Sequence, residues 1–217
     1  QFLKDYNPSQ LNENLISKSE FNGDIELKNV NFTYPGAAVP SLSDVNIRIK
    51  SGETVGVIGK MGCGKSTLTR LICGVLEPDT GSVFIHHLCI MLQESWLYSG
   101  TLRENITLGF GHYSDEDIQR AAELSGAHSF ISQKPQGYDF PVSEKGAGLS
   151  GGQKQSLSLA RTLVRDPDIL ILDEPTSAMD QASEAAVIKS LEGFLKGKTS
   201  ILVTHRNTLL SLCDRVI

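Results

Sequence analysis

The chain has 217 residues, of which 40% are hydrophobic and 21% are charged, a balance typical of folded globular proteins rather than disordered ones. The formal net charge of −5 disfavours a protein dedicated to nucleic acid, because such proteins usually carry a basic surface. No apolar stretch reaches the roughly 18 residues that a membrane-spanning helix needs. Four cysteines without paired or metal-ligand spacing favour free thiols in a reducing compartment.

The hydrophobic pattern predicts an α/β protein. Residues 1–23 are polar and are predicted to form a linker or tail, and a single domain is predicted over residues 24–217. Predicted strands, from alternating or continuous apolar residues, cover 24–34, 45–49, 54–59, 81–85, 89–92, 169–172 and 199–203. Predicted helices cover 66–75 and most of 114–163. Strands that alternate with helices favour a parallel central sheet.

The connection between the predicted strands 81–85 and 89–92 is unusually short. Two parallel neighbours need a crossover of about a dozen residues or more. Either the two strands pair in different ways, or residues are absent between them. The last residues, 214–217, also have the pattern of a strand, which predicts that the domain continues beyond them.

A phosphate-binding loop is predicted over residues 59–66, which fit the pattern G-x-x-x-x-G-K-[ST] between a buried strand and a helix. Glycines let backbone N–H groups turn around phosphate oxygens, and the helix N-terminus adds positive potential. Lys65 can reach the β- and γ-phosphates, and the Ser66 hydroxyl can bind Mg²⁺. The predicted binding residues are Gly59, Lys60, Met61, Gly62, Cys63, Gly64, Lys65, Ser66 and Thr67.

Two adjacent carboxylates, Asp173 and Glu174, follow the predicted strand 169–172. Ligands of open α/β sheets bind at the carboxyl ends of the strands, so Asp173 is placed to hold Mg²⁺. Glu174 is placed to orient or deprotonate an attacking water. The acidic pair and the phosphate loop together predict hydrolysis of a nucleotide.

A second anion-binding helix end is predicted at the string Leu-Ser-Gly-Gly-Gln, residues 149–153, just before the helical stretch 154–163. The predicted contacts are Ser150, Gly151, Gly152 and Gln153. This string, the phosphate loop and the acidic pair, in this order along the chain, resemble the nucleotide-binding domain of an ABC transporter. The resemblance extends from Asp24 to Ile217. It implies a P-loop NTPase with a RecA-like parallel core, an antiparallel β subdomain and a helical subdomain over about 94–163, with ATP and Mg²⁺ as ligands.

The resemblance assigns roles to further residues. Tyr34 matches the aromatic residue that stacks on adenine, and Gln93 matches the Q-loop glutamine that senses the γ-phosphate and Mg²⁺. Asp180 lies in the stretch that matches the D-loop, and His205 matches the switch histidine that contacts the γ-phosphate. The implied catalytic residues are Glu174, His205, Lys65 and Gln93. The implied Mg²⁺ ligands are Ser66, Gln93 and Asp173.

Residues 93–106 and 143–148 are similar to the exporter branch, and residues 204–215 resemble bacterial type I secretion ATPases. This implies a protein exporter of the kind that secretes RTX toxins and adhesins, on the cytoplasmic face of the bacterial inner membrane. The implied partners are the exporter's transmembrane domains, a periplasmic adaptor and an outer-membrane channel, and not nucleic acid. Exporters of lipids or drugs have similar sequences here. A soluble ATPase of DNA repair or translation and a domain that binds ATP without turnover are further alternatives.

The two anion sites predict an ATP-dependent homodimer. One phosphate loop covers one side of the nucleotide, and the Leu-Ser-Gly-Gly-Gln helix of the same chain is expected on a separate lobe. Two copies arranged head to tail would bury two nucleotides. Ser150 and Gly152 of each copy would then reach the γ-phosphate held by the other.

Three features depart from the family pattern. The stretch between Ile85 and Cys89 is shorter by roughly a dozen residues, as the crossover length also suggests. Gln155 and Ser156 stand where a glutamine and a basic residue are more usual, so an ionic contact is expected to be missing. Family members continue beyond Ile217, which predicts a C-terminal truncation.

Overall fold

The computed structural model describes residues 23–85, 88–91 and 96–217. Gln93 and all but the last residue of the predicted tail lie outside this part of the chain. Within the described part, no helix combines the length and the apolar character needed to cross a membrane.

A parallel sheet forms the centre of the fold. Its strands within the described residues are Thr54–Val57 (β3), Leu88–Met91 (β5), Ile169–Asp173 (β8), Thr199–Val203 (β9) and Arg215–Val216 (β10). They lie in the order β10–β3–β9–β8–β5, and each neighbouring pair is parallel. Every residue of β3, β8 and β9 is buried, which explains their almost continuously apolar sequences.

Seven α-helices lie within the described residues. They are Lys65–Ile72 (α1), Leu102–Thr107 (α2), Asp115–Leu124 (α3), His128–Ile131 (α4), Gly151–Leu163 (α5), Gln181–Phe194 (α6) and Asn207–Leu210 (α7). Helix α1 ends at Ile72, before the predicted end at Val75, because the chain turns at Gly74, where φ is 67°. Helix α5 begins at Gly151 and not at residue 154 as predicted, because Ser150 caps it.

Successive residues of β8 belong to two different hydrophobic clusters. Ile169 and Ile171 pack in the cluster that contains residues of α1 and of the antiparallel sheet described below. Leu170 and Leu172 pack in the other cluster, with residues of α2, α3, α5 and α6. This alternation follows from the two-residue period of a strand, and it buries both faces of the central sheet.

An antiparallel sheet lies beside the core. It consists of Ile25–Phe32 (β1), Leu42–Ile49 (β2) and Thr80–Phe84 (β4), in the order β2–β1–β4. The β1–β4 pairing requires glycine at Gly81, where φ is 89° and a Cβ would lie 2.4 Å from the carbonyl oxygen of Lys28. β4 belongs to the antiparallel sheet and β5 to the parallel sheet, so the two strands are not neighbours in one sheet, as the first alternative expected. That residues are absent between them stays a prediction.

The region predicted to be mostly helical also contains other structure. Gly100–Thr101 (β6) pairs with Pro141–Val142 (β7) in a small antiparallel sheet. Short 3₁₀ turns lie at Gly137–Asp139 and Glu144–Gly146. β7 and the two 3₁₀ turns connect α4 to α5 and precede the Ser150 cap, whereas β6 leads into α2.

Candidate active site

The phosphate loop joins β3 to α1 as predicted, and it depends on glycine. Gly64 has φ of 100°, and a Cβ there would lie 2.7 Å from the carbonyl oxygen of Ser41. Gly59 has φ of 157°, and a Cβ there would lie 2.5 Å from the sulfur of Cys63. The loop therefore follows a path that side chains at these two positions would obstruct.

The Lys65 ammonium lies inside this loop. Its Nζ donates hydrogen bonds to the carbonyl oxygens of Gly59 at 2.8 Å and Lys60 at 3.0 Å. The first turn of α1, which also begins at Lys65, leaves its backbone N–H groups without helical partners. A cation and a helix N-terminus thus converge on one loop, which is the arrangement that binds phosphate.

Asp173 ends β8 beside the start of α1. Its residue is 5% exposed, and burial raises the pKa of its carboxyl. The Lys65 ammonium and a hydrogen bond with Ser66 lower this pKa in part. A buried carboxylate beside a hydroxyl provides two oxygen ligands of the kind that Mg²⁺ prefers.

Glu174 follows in a left-handed backbone conformation, with φ of 51°. Its Oε1 is buried and has no hydrogen-bond partner, and it lies 3.7 Å from Nε2 of His205. Burial raises the pKa of Glu174, while the nearby His205 lowers it and Asp173 raises it further. A carboxylate oxygen without a partner, facing an exposed imidazole, can accept a proton or a hydrogen bond from a water molecule.

An open cleft of about 510 Å³ lies between the phosphate loop and the segment after β9. Gly59, Lys60 and Met61 line it from one side, and Thr204 and His205 from the other. His205 thus faces both this cleft and Glu174.

Tyr34 lies next to α1. Its hydroxyl is 3.3 Å from the hydroxyl of Thr67 and accepts a hydrogen bond of 3.3 Å from Arg70. The contact with Thr67, with a smaller effect of Arg70, lowers the pKa of the phenol. The ring packs edge-on against Phe32, with ring centroids 4.9 Å apart. This aromatic side chain therefore stands at the helix that begins with the phosphate loop.

The second predicted anion site lies at the N-terminus of α5. Ser150 caps the helix: its hydroxyl accepts from the N–H of Gln153 at 3.2 Å, and its own N–H donates to the Gln153 side chain at 3.0 Å. Ser150 and Gly151 are exposed. Gly152 approaches the loop after β8 closely, since a Cβ there would lie 3.1 Å from the carbonyl oxygen of Ala178. The hydrogen bonds of Ser150 thus stay within its own helix.

Asp180 caps α6 in the same way. Its carboxylate accepts from the N–H of Ser183 at 2.9 Å and from the hydroxyl of Ser183 at 2.7 Å. Lys65, Ser66, Asp173, Glu174 and His205 therefore form one group, whereas Ser150 and Asp180 cap helices elsewhere. Gln93, predicted to join the first group, lies outside the described residues.

Sequence reasoning missed the polar contacts that hold these loops in place. Gln155, 3% exposed, hydrogen-bonds to residues of the loop after β8. Glu184, 6% exposed, pairs with Arg206 at 2.6 Å. Gln155 lies four residues before the buried Leu159, and Glu184 lies three before the buried Val187. A polar residue on the apolar face of a helix indicates a buried hydrogen bond, and this was the signal that could have found them.

Comparisons with known proteins agree on one family. The family model described as ABC transporter matches residues 42–177. A solved structure of a bacterial Atm1-family ABC exporter with ATP bound superposes with a TM-score of 0.85 at 31% sequence identity. It covers 90% of this chain, and the chain covers 37% of it.

Curated relatives include several translocation proteins. The leukotoxin translocation ATP-binding protein LktB of Mannheimia glucosida is 41% identical over 224 residues. The exotoxin translocation ATP-binding protein PaxB of Pasteurella aerogenes and the toxin RTX-I translocation ATP-binding protein of Actinobacillus pleuropneumoniae are each 40% identical. Each alignment covers 97% of this chain and 32% of the relative. The chain thus spans about a third of the length of these relatives.

Proposed function

Because the chain belongs to the ABC transporter family, whose ATP-binding domains bind and hydrolyse ATP, we propose that it is the motor domain of a protein exporter. The relatives are named for toxin translocation, which supports a protein cargo. The remainder of such an exporter would supply transmembrane domains at the inner membrane. A periplasmic adaptor and an outer-membrane channel would complete the path.

In this proposal, residues 59–66 bind the phosphates of ATP. Lys65 is the cation of the loop, and its hydrogen bonds to two loop carbonyls support this role because they hold the ammonium inside the nest. Tyr34 stacks on adenine at the edge of α1. Ser66 and Asp173, with Gln93, would hold Mg²⁺, which would neutralise charge on the phosphates when bound.

Among the described residues no cluster of three or more acidic, histidine or cysteine side chains could hold a metal alone. That fits an ion completed by phosphate oxygens and water.

Glu174 is the proposed general base. It accepts the proton of the water that attacks the γ-phosphorus, and His205 contacts the γ-phosphate beside it. The observation that carries this assignment is the buried Oε1 of Glu174, which has no partner and lies 3.7 Å from His205. Burial raises the pKa of this carboxyl, which improves it as a proton acceptor.

Two copies of the chain would complete each site. The N-terminus of α5 presents Ser150 and Gly151 to solvent, and its N–H groups and dipole suit a phosphate brought by a second copy. Hydrolysis removes the γ-phosphate that bridges the copies, so the dimer loosens. The alternation of the closed and open dimer would drive the membrane domains.

The substitution Glu174→Gln tests this mechanism. It should abolish phosphate release while ATP binding persists, and with ATP and Mg²⁺ it should convert the chain to a stable dimer measured by light scattering. Lys65→Ala is the matched control and should give neither binding nor dimer. A Glu174→Gln chain that stays monomeric with ATP and Mg²⁺ would refute the proposed dimer.

The cargo needs a test of its own. In cells, the intact exporter should release a co-expressed candidate toxin into the medium, and Lys65→Ala should stop that release. Efflux of a lipid or drug analogue, with no protein in the medium, would contradict the proposed cargo and favour the alternative exporters.

A further inference from the structure

Gln155 uses its whole side-chain amide to join α5 to the loop that follows β8. Its Nε2 donates to the carbonyl oxygen of Glu174 at 2.8 Å and to the hydroxyl of Ser177 at 2.9 Å. Its Oε1 accepts from the N–H of Ala178 at 2.8 Å. Both donor hydrogens and the acceptor oxygen thus serve one loop, and the residue is 3% exposed.

A second contact joins the same helix to the same loop one turn earlier. Gly152 packs so closely that a Cβ there would lie 3.1 Å from the carbonyl oxygen of Ala178. The first two turns of α5 and the loop therefore have little freedom to move separately. A displacement of Ser150 at the helix N-terminus would be carried to the loop through Gly152 and Gln155.

The backbone of Glu174 depends on such support. Its φ of 51° lies in the left-handed region, which is unfavourable for a residue with a side chain. The N–H of Glu174 donates to the carbonyl oxygen of Val203 at 2.8 Å, and its own carbonyl accepts from Gln155. The same carbonyl also accepts from the N–H of Ser177 at 3.2 Å, so without Gln155 the peptide unit after Glu174 keeps only the longer of its two hydrogen bonds. The carboxylate would then be held less firmly opposite His205.

We propose that Gln155 is a positioning residue that holds Glu174 in place and makes hydrolysis depend on how the N-terminus of α5 is seated. The proposal rests on the proposed function, in which Glu174 acts on the attacking water and the N-terminus of α5 binds the nucleotide of the second copy. Gln155 itself is 3% exposed and acts through Glu174 and not on the nucleotide. In the proposed dimer, the N-terminus of α5 contacts the nucleotide bound by the second copy, and Glu174 acts on the nucleotide bound by its own chain. Gln155 connects these two regions of one chain.

The opposite side of the loop has its own support, which makes a Gln155 variant informative. Arg206 donates to the carbonyl oxygen of Ser177 at 2.9 Å and pairs with the buried Glu184. Thr176 also donates to Glu184, at 3.0 Å. These contacts stay when Gln155 is replaced, so the loop remains attached. The Glu174 carbonyl then keeps only the N–H of Ser177 at 3.2 Å, and the Ala178 N–H loses its acceptor.

The test is the steady-state kinetics of the intact protein with Gln155→Leu, which fills similar space without hydrogen bonds. The turnover number should fall about tenfold or more, because small displacements of a catalytic group have effects of this size. The affinity for ATP, measured by equilibrium dialysis, should stay within about twofold, because residues 59–66 are not touched. Unchanged turnover would overturn the proposal, and so would an equal loss of ATP affinity.

Thr162→Val is the matched control. Thr162 lies on the same helix, is 5% exposed, and its hydroxyl donates to the carbonyl oxygen of Ser158 within the helix. The substitution removes a buried hydrogen bond from α5 without touching the loop after β8. Turnover should be unchanged, whereas a loss equal to that of Gln155→Leu would assign the effect to the helix as a whole.

A double variant separates positioning from general stability. A Glu174→Gln chain should have no turnover left to lose, so the measurement in that background is the dimer formed with ATP and Mg²⁺. Adding Gln155→Leu should leave this dimer intact by light scattering, because the dimer needs bound ATP and not a positioned carboxylate. Loss of the dimer would overturn the proposal. If Glu174→Gln leaves turnover unchanged by itself, the proposed function fails, which is a different outcome.

Gln155→Glu serves if the leucine variant does not fold. It keeps the size and the acceptor for the Ala178 N–H, and it replaces the donor to the Glu174 carbonyl by an acceptor. Turnover should fall as in the leucine variant, with ATP affinity retained. Turnover at the wild-type level in Gln155→Glu would overturn the proposal.

Discussion

At the scale of single residues, the glycines of the phosphate loop differ in what a side chain would meet. At Gly62 φ is 80°, and a Cβ there would meet nothing within 4 Å; at Gly64 φ is 100° and the Ser41 carbonyl oxygen would lie at 2.7 Å. Gly62→Ala should cost about 1 kcal/mol of unfolding free energy from backbone conformation alone. Gly64→Ala should cost more and abolish ATP binding, because backbone must move. Thermal unfolding and ATP titration measure both effects, and equal losses would contradict this reasoning.

The cysteines offer a second test at this scale. Cys63 is exposed in the phosphate loop, whereas burial raises the pKa of Cys73 to about 12 and of Cys213 to about 11. Thiolates react and thiols do not, so iodoacetamide at neutral pH should modify the exposed Cys63 well before Cys73 and Cys213. Peptide mass spectrometry measures each rate separately.

ATP should slow the reaction of Cys63, because the nucleotide would occupy the loop around it. The control is Lys65→Ala, in which ATP should no longer protect Cys63. Protection that persists in this variant would show that ATP binds at the loop without Lys65, which would contradict the role proposed for this residue.

At the scale of elements, α6 depends on the charge of its cap. Hydrogen bonds from the backbone and then the side chain of Ser183 hold the pKa of Asp180 below its usual range. A carboxyl whose pKa is lowered by folding stabilises the fold above its unfolded pKa of about 4 and loses that contribution as pH falls through the folded pKa. Asp180→Asn keeps the cap and removes the titration. Its unfolding temperature should therefore fall less steeply below about pH 4 than that of the wild type, and an equal slope would contradict this role.

Several elements were predictable, since the strands over 169–172 and 199–203 lie where continuous apolar runs placed them, but α6 and α7 were not predicted. The ends of the helices were less predictable from the sequence. The start of α5 depends on a reciprocal pair of hydrogen bonds between Ser150 and Gln153, which the interpretation of this stretch as an anion site did not consider. Pairing was decided by tertiary structure alone, because only the assembled sheets show that β4 and β5 are not neighbours.

At the scale of the whole molecule, the proposed dimer makes a sharp prediction. Ser150→Phe would block the half-site at α5, and Lys65→Ala would disable the phosphate loop. Each variant alone should be inactive, because both of its sites contain the defect. A mixture should recover ATP hydrolysis, because a mixed dimer contains one site built from Lys65 of one copy and Ser150 of the other. Phosphate release measures this, and no recovery would contradict sites shared between copies.

The sequence by itself determined the chemistry that neighbouring residues create. The phosphate loop, the acidic pair and the string around Ser150 act through local backbone N–H groups, helix ends and adjacent side chains, so their order along the chain is sufficient to recognise them. The α/β class follows similarly from local hydrophobic periodicity.

Only the tertiary structure decided which of these groups meet and what holds them. His205 lies opposite the partnerless Oε1 of Glu174, and Gln155 reaches the Glu174 carbonyl from another helix. Glu184 and Arg206 pair across 22 residues of chain. Such contacts depend on the packing of whole elements and on the burial that packing creates. No local pattern encodes them, because the hydrogen-bonding partner of a buried polar group is set by distance in the fold and not by separation in the chain.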